Sequence, residues 1–322
     1  MTFKQRKDAF EQRNKKHESS LLSFIGVEGF DVYNCSIPFE WKGQTYIYGR
    51  VEKRQEWARS RVRLFRRVEK DRYSLVPQSM IYQLEDPFIS LIGGQLVLGG
   101  THVVKSAGNI DFLYGYFYRG TELEDLHYFT TGPKNMKDIR LVDMGDGRVG
   151  VFSRPRGKAV LEAHGSESVV GFAIVPSLDD LTADIVEDAP VIENMFAANE
   201  WGGCNQCYLL DSGLIGIIGH KSYPEKTNEG LVLAVYTNIS FVFDPKSHSI
   251  VDEKIIATRA SFPGYTPKKP ELVDCAFASG IWFRQDGRAD LYSGVGDTAQ
   301  GRVVVDNPFK GFGEPVFGNI RS

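Results

Sequence analysis

Leu84-Glu85-Asp86-Pro87-Phe88-Ile89 runs into the turn Gly93-Gly94 and returns as Gln95-Leu96-Val97-Leu98. Two apolar runs joined by a double glycine describe a β-hairpin. The same grammar recurs along the chain. Tyr46-Ile47-Tyr48-Gly49-Arg50-Val51, Val149-Gly150-Val151-Phe152, Leu231 to Tyr236, Ile281-Trp282-Phe283 and Asp290-Leu291-Tyr292 read as strands. Lys42-Gly43, Gly145-Asp146-Gly147, Asp211-Ser212-Gly213 and Asp286-Gly287 read as turns. The polar residues heading the first three hairpins, Asn34, Asp86 and Asp138, lie 52 residues apart in both intervals (86 − 34 and 138 − 86). Each stands eight or nine residues ahead of its turn glycine, Gly43, Gly94 or Gly147. Cys204 with Gly213 makes a fourth unit, and Asp274 with Gly287 a fifth that is four residues longer. Repeats of this length with several strands per unit are the mark of propeller blades. The sequence therefore predicts an all-β chain: a five-bladed β-propeller over residues 30–322, preceded by an N-terminal helical arm over 1–29.

The arm rests on composition. Residues 1–24 contain no Pro or Gly and are rich in Lys, Glu, Arg and Gln, which favours helix. Beyond residue 30 only 175–185 carries a helical pattern. A formal net charge of −3 over 322 residues offers no basic field for nucleic acid or an anionic membrane. The apolar runs are too short to span a bilayer, and the charged opening is unlike a secretory signal, so a cytoplasmic location is expected. Cys35, Cys204, Cys207 and Cys275 make no disulfide framework in a chain of this size. Cys204-Asn205-Gln206-Cys207 has the gap of a zinc or redox motif but no second pair at ligand spacing, so no metal is expected. The arm and the region of Trp57 are candidate contacts for a homo-oligomer.

Residues equidistant from a hairpin turn face one another across it. With turn centres near residues 42, 94, 146 and 212, Asn34 faces Arg50, Asp86 faces His102, Asp138 faces Arg154 and Cys204 faces His220. If these are the innermost strands, four blades aim a guanidinium or imidazole toward the propeller axis, and three aim an Asn or Asp. Asp86 is the candidate general acid. Pro87 restricts it to an extended or polyproline backbone on a rigid strand end. Glu85 points to the other strand face and reads as an orienting acid.

The Glu85-Asp86-Pro87 motif resembles the one that carries the general acid in the β-mannoside phosphorylases of glycoside hydrolase family 130, which are five-bladed propellers. Tyr48-Gly49-Arg50-Val51-Glu52, Lys137-Asp138 with Arg154, Gly219-His220, and Tyr292-Ser293-Gly294-Val295-Gly296-Asp297-Thr298 are similar to that family's first-, third-, fourth- and fifth-blade motifs, in order. Over nearly the whole chain, with Asp31-Val32-Tyr33-Asn34 and Pro38-Phe39, the sequence more closely resembles a sister group long filed as a domain of unknown function. That group includes the β-1,2-mannan mannosyltransferase/phosphorylases. Lys221 after His220 and Phe88 after Pro87 depart from the phosphorylase pattern.

The resemblance implies an inverting glycoside phosphorylase or mannosyltransferase acting on β-1,2-linked mannosides, giving or using α-mannose 1-phosphate. Inverting hydrolysis needs two carboxylates. In propeller hydrolases of arabinan or xylan the base sits on the first blade, where this chain has Asn34. Phosphate is already an anionic nucleophile and needs cations to hold it; Arg154, His220, Lys137 and Arg156 would do so. Asn34, Arg50, His102, Asp138, Asp274, Tyr292 and Asp297 would bind sugar, with Tyr46, Tyr48 or Tyr292 stacking on a ring. Inorganic phosphate would be the co-substrate and no cofactor is expected. The alternatives are a propeller glycoside hydrolase, with Asp138 or Asp274 as base, and a non-catalytic carbohydrate-binding propeller.

Overall fold

The computed structural model describes residues 1–13 and 18–321. It is a five-bladed β-propeller with one N-terminal helix. The hairpin signals lie where the sequence places them: Gly93 and Gly94 turn between strands Glu85–Ile92 and Gln95–Ser106. Both glycines have positive φ, 55° and 76°, as a tight two-residue hairpin requires.

Each blade is a sheet whose first strand lies toward the axis, antiparallel throughout except where Ser23–Ile25 joins the first blade parallel to Arg72–Leu75. These inner strands are Asp31–Tyr33, Glu85–Ile92, Arg140–Asp143, Trp201–Leu209 and Ala276–Phe283. The second and fourth blades have four strands and the third has three. The fifth blade is completed from the other end of the chain, Ser19–Leu21 pairing antiparallel with Gly301–Val303. This closes the ring by joining the two ends of the chain in one blade. Alternate strand residues meet between blades in apolar layers, such as Phe152, Phe172, Ile217 and Phe243 between the third and fourth. Each such side chain contributes roughly 1.5–3 kcal/mol by burial.

The helical arm is shorter than its composition suggests. The helix spans Phe3–Arg13, and the predicted continuation through residues 14–17 lies outside the described residues. Ser19–Leu21 and Ser23–Ile25, read as arm from the sequence, are strands recruited into the fifth and first blades. An 11-residue helix is marginal by itself, so packing holds it. Phe3 is buried edge-on against Tyr223, Lys7 Nζ reaches Asp274 Oδ2 at 2.8 Å, and Arg6 Nη1 reaches Glu253 Oε1 at 2.5 Å.

The third blade carries two more helices. Lys158–His164 was not anticipated, although Ala, Leu and Glu favour it. Ala183–Glu187 follows a strand, Gly171–Val175, and a short 3-10 turn, Leu178–Asp180, within and just before the segment that carries a helical pattern.

Candidate active site

At one end of the axis residues at or beside the ends of the strands enclose a cavity of about 330 Å³. Asn34, Arg50, Glu85, Asp86, Lys137, Arg156 and Asp297 line it, with Tyr236, Cys275, Phe277 and Trp57 as the less polar wall. The repeat has a backbone meaning. Asn34, Asp86 and Asp138 all sit in the left-handed region, with φ of 44°, 50° and 58°. Asn and Asp tolerate that region better than other side chains with a Cβ, so the repeated residue type serves conformation as well as chemistry. This corrects the extended backbone expected for Asp86. The left-handed turn prevails over the preference imposed by Pro87, and two hydrogen bonds to its carboxylate accompany it.

Those bonds come from the first blade. Arg50 Nη1 donates to Asp86 Oδ1 at 2.8 Å and Asn34 Nδ2 donates to the same oxygen at 2.9 Å. Oδ2 has no protein partner among the described residues and is the oxygen left for a ligand. Arg50 also grips Glu85 Oε1 through Nη2 at 2.9 Å and lies over the Tyr33 ring. Tyr33, not Asn34, is its opposite number across the sheet. Glu52 supports the arrangement from behind, accepting from Tyr33 and Lys268. Asn34 Nδ2 also reaches Asp297 Oδ1 at 3.4 Å. Burial pushes the Glu85 and Asp297 carboxyls above the ordinary range, with Arg50 opposing in both cases.

The third and fourth blades supply the other side. Asp138 Oδ2 is 3.0 Å from Arg154 Nη1, an ion pair off the hydrogen-bond direction, and Arg140 Nη2 is 3.8 Å from Asp138 Oδ1. Burial alone would raise the Asp138 carboxyl, but Arg154, Lys137 and Arg140 more than offset it and hold it well below the carboxylate range. Arg154 Nε donates to the Gly202 carbonyl at 2.5 Å, which ties the third blade to the fourth. His220 Nδ1 lies 2.8 Å from Asn205 Oδ1. Burial, reinforced by Arg154, holds this imidazole well below its ordinary value. His220 is therefore a neutral group rather than the cation expected from sequence. Asp138, Arg154 and His220 are buried behind the wall, whereas Lys137 and Arg156 face the cavity without an ion pair among the described residues.

Three expected neighbours lie elsewhere. A bulge between Glu85 and Phe88 removes Asp86 from the ladder, so His102 does not face it. His102 instead stacks on Tyr116 at 4.5 Å and meets the Gln83 carbonyl. A bulge between Cys204 and Gln206 places Gly203, not Cys204, opposite His220. Asp274 is taken by Lys7 of the helix, and the fifth-blade carboxylate in the cavity is Asp297. Tyr292 packs in the apolar layer with Tyr73 and Phe65, and Tyr48 in that with Phe39. The sequence reading missed Tyr236, whose hydroxyl burial pushes up to about 12, together with Phe277, Lys268, Arg140 and Asn205. Arg140, two residues past Asp138, carried a signal by proximity; Tyr236 read only as strand, and Phe277 carried no signal.

All four cysteines are free and buried. Among the described residues no group of three or more His, Cys, Asp or Glu is arranged to hold a metal ion. No described helix is long and apolar enough to cross a membrane.

Residues 8–311 match the family model DUF1861, described as a protein of unknown function. The chain belongs to this family. A mannose phosphorylase from Leishmania mexicana, solved in complex with phosphate ion, is 50% identical with a TM-score of 0.93, over 99% of this chain and 96% of that one. A GDP-Man-dependent mannosyltransferase from the same organism is 44% identical with a TM-score of 0.92, over 100% and 99%. A glycosyl hydrolase from Bacteroides ovatus, 13% identical with a TM-score of 0.59 over 89% and 87%, shares the fold. No curated protein matches this DUF1861 chain.

Proposed function

We propose that this protein is an enzyme acting on mannosides, an inverting phosphorylase or mannosyltransferase for β-1,2-linked mannose, with Asp86 as its single general acid. The observation that carries this reading is the division of the cavity. One side holds a carboxylate with one oxygen committed to Arg50 and Asn34 and the other open. The other side presents Lys137 and Arg156 with Arg154 behind them. Buried polar atoms without a hydrogen-bond partner lie on both sides, Asn34 Oδ1 on the first blade and both Asp138 oxygens and Arg154 Nη1 on the third. Unsatisfied buried groups of this kind call for a ligand or ordered water. Similarity to a mannose phosphorylase and a mannosyltransferase supports the substrate class.

In phosphorolysis a phosphate oxygen, held by Lys137, Arg156 and Arg154, attacks C1 of the terminal mannose. The C1–O bond to the next sugar breaks, and the leaving oxygen takes the proton from Asp86 Oδ2, directly or through a sugar hydroxyl. The products are α-mannose 1-phosphate and the shortened mannoside, and Asp86 is left as a carboxylate stabilised by Arg50. In the reverse direction Asp86 takes the proton of the acceptor hydroxyl. Neutral His220 has Nε2 as an acceptor when Nδ1–H donates to Asn205, which suits the hydroxyl of hydrogen phosphate. Hydrolysis with Asp138 as base is disfavoured, because its ion pair with Arg154 and its lowered proton affinity make it a poor proton acceptor.

The test is product analysis on a panel of mannosides, β-1,2-mannobiose included, with and without phosphate and with GDP-mannose as alternative donor. Formation of mannose 1-phosphate only when phosphate is present is expected. Equal consumption without phosphate overturns the phosphorylase reading.

A further inference from the structure

The cavity does not end at its acid side. It opens into a polar groove of about 460 Å³ between the first and second blades, with Ala58, Glu85 and Val103 common to both. Farther out the groove is lined by Arg59, Arg61 and Gln83, among others. Trp57 lines the cavity next to the shared Ala58 and is 45% exposed, with Lys269 Nζ 4.0 Å from the centre of its ring.

The loop bearing Trp57 is fastened to the acid machinery. Arg50 Nε donates to Ser60 Oγ at 2.7 Å, Ser60 Oγ donates to Glu52 at 3.1 Å, and the Arg59 amide donates to Glu52 at 2.7 Å. Lys105 Nζ is committed to the Trp57 carbonyl. A tryptophan held on a tethered loop lining a cavity is an unusual use of an exposed apolar surface. A flat apolar ring beside polar groups suits a sugar, which has apolar C–H faces and a hydroxyl rim.

Direction is set by the chemistry. In an inverting displacement the nucleophile and the leaving group lie on opposite faces of C1. With the phosphate cations on the third blade and the acid on the second, the leaving sugar lies toward the first and second blades, where this groove begins. We propose that the groove is the acceptor path, taking the second and later sugars of a neutral mannan chain, and that Trp57 stacks on one of them and so sets chain-length preference. The inference rests on the phosphorylase/transferase reading for its direction.

Binding can be measured without turnover, which separates the two. In an Asp86→Asn background, calorimetric titration with β-1,2-mannobiose, -triose and -tetraose should show affinity rising about tenfold with length. Adding Trp57→Ala should bring the long-to-short ratio toward one, and Trp57→Tyr should restore most of it. A ratio unchanged by Trp57→Ala overturns the acceptor path, as does loss of GDP-mannose affinity in that variant with chain-length preference intact. Absence of phosphate-dependent turnover in the wild-type enzyme, with the ratio still sensitive to Trp57, would instead remove the reaction and keep the groove as a mannan-binding path.

Discussion

Asp86 and Asp138 occupy equivalent places in successive blades and share a left-handed backbone, yet their surroundings have opposite character. Around Asp86 lie other carboxyls, Glu85 and Asp297, which burial pushes up while Arg50 restrains them. Around Asp138 lie Arg154, Lys137 and Arg140, which pull its carboxyl down. The connection differs too. Arg50 reaches across from the first blade to hold Asp86, whereas Arg154 turns back on Asp138 of its own blade. The two surroundings thus pull carboxyls in opposite directions, upward at Glu85 and Asp297 and downward at Asp138. The repeat supplies the frame, and the cross-blade arginine breaks its symmetry.

The largest effect should come from breaking the acid side. Asp86→Asn keeps both donors satisfied through the amide oxygen but has no proton to give. Turnover should fall about 10³- to 10⁴-fold, near the upper range for general acid catalysis, with mannoside binding retained. Steady-state kinetics alongside calorimetry check this, and turnover within tenfold of wild type would remove Asp86 from the mechanism. On the other side, Lys137→Ala removes a cavity-facing cation that has no ion pair among the described residues to leave behind. A loss of about 10²-fold is expected, mostly as a raised KM for phosphate. An effect confined to the KM for the mannoside would move Lys137 out of the anion site.

Two glycines allow each half to be disturbed without touching its chemistry. A Cβ at Gly294 would come within 1.7 Å of Asn34 Oδ1, and one at Gly203 within 2.8 Å of Arg154 Cδ. Displacements near an ångström cost up to about 10²-fold in rate. Gly294→Ala should therefore lower kcat with little change in the KM for phosphate, because it moves the partner of Asp86. Gly203→Ala should raise the KM for phosphate with a smaller change in kcat. The same kinetic signature in both variants would show that the halves do not act separately.

Much of this frame was legible in the sequence. Turn glycines and a constant spacing define the hairpins, because backbone geometry dictates residue type at those points. The exact facing of side chains was less so. A single bulge shifts a ladder by one residue, and bulges near Asp86 and Cys204 moved His102 away and put Gly203 opposite His220. Arg50 reaching Asp86, Lys7 capturing Asp274 and Asp297 replacing it are contacts between blades or with the helix, which no pattern internal to one repeat encodes. His220 illustrates a further gap. Its residue type suggested a cation, whereas enclosure by Phe277 and Tyr236 and the proximity of Arg154 keep it neutral.

That neutrality gives the smallest effect and sharpens the cationic half. His220 has a folded value well below the ordinary 6.5, so the unfolded chain binds the proton more readily between the two values. Stability then rises with pH across that window: the contribution of the neutral state is intact above 6.5 and is lost progressively as pH falls below it. One pH unit below the unfolded value corresponds to about 1.4 kcal/mol. Urea midpoints at pH 7.5 and pH 5.5 should differ by less in His220→Gln than in the wild type, since glutamine keeps polar contact with Asn205 and does not titrate. Glu85→Gln works in the opposite sense. The raised Glu85 carboxyl is destabilising while ionised, so it favours folding as pH falls, and its removal should steepen the acid loss. Matching slopes in wild type and His220→Gln would mean that the folded imidazole takes up its proton as readily as the unfolded one, and burial beside Arg154 would then not keep it neutral below 6.5.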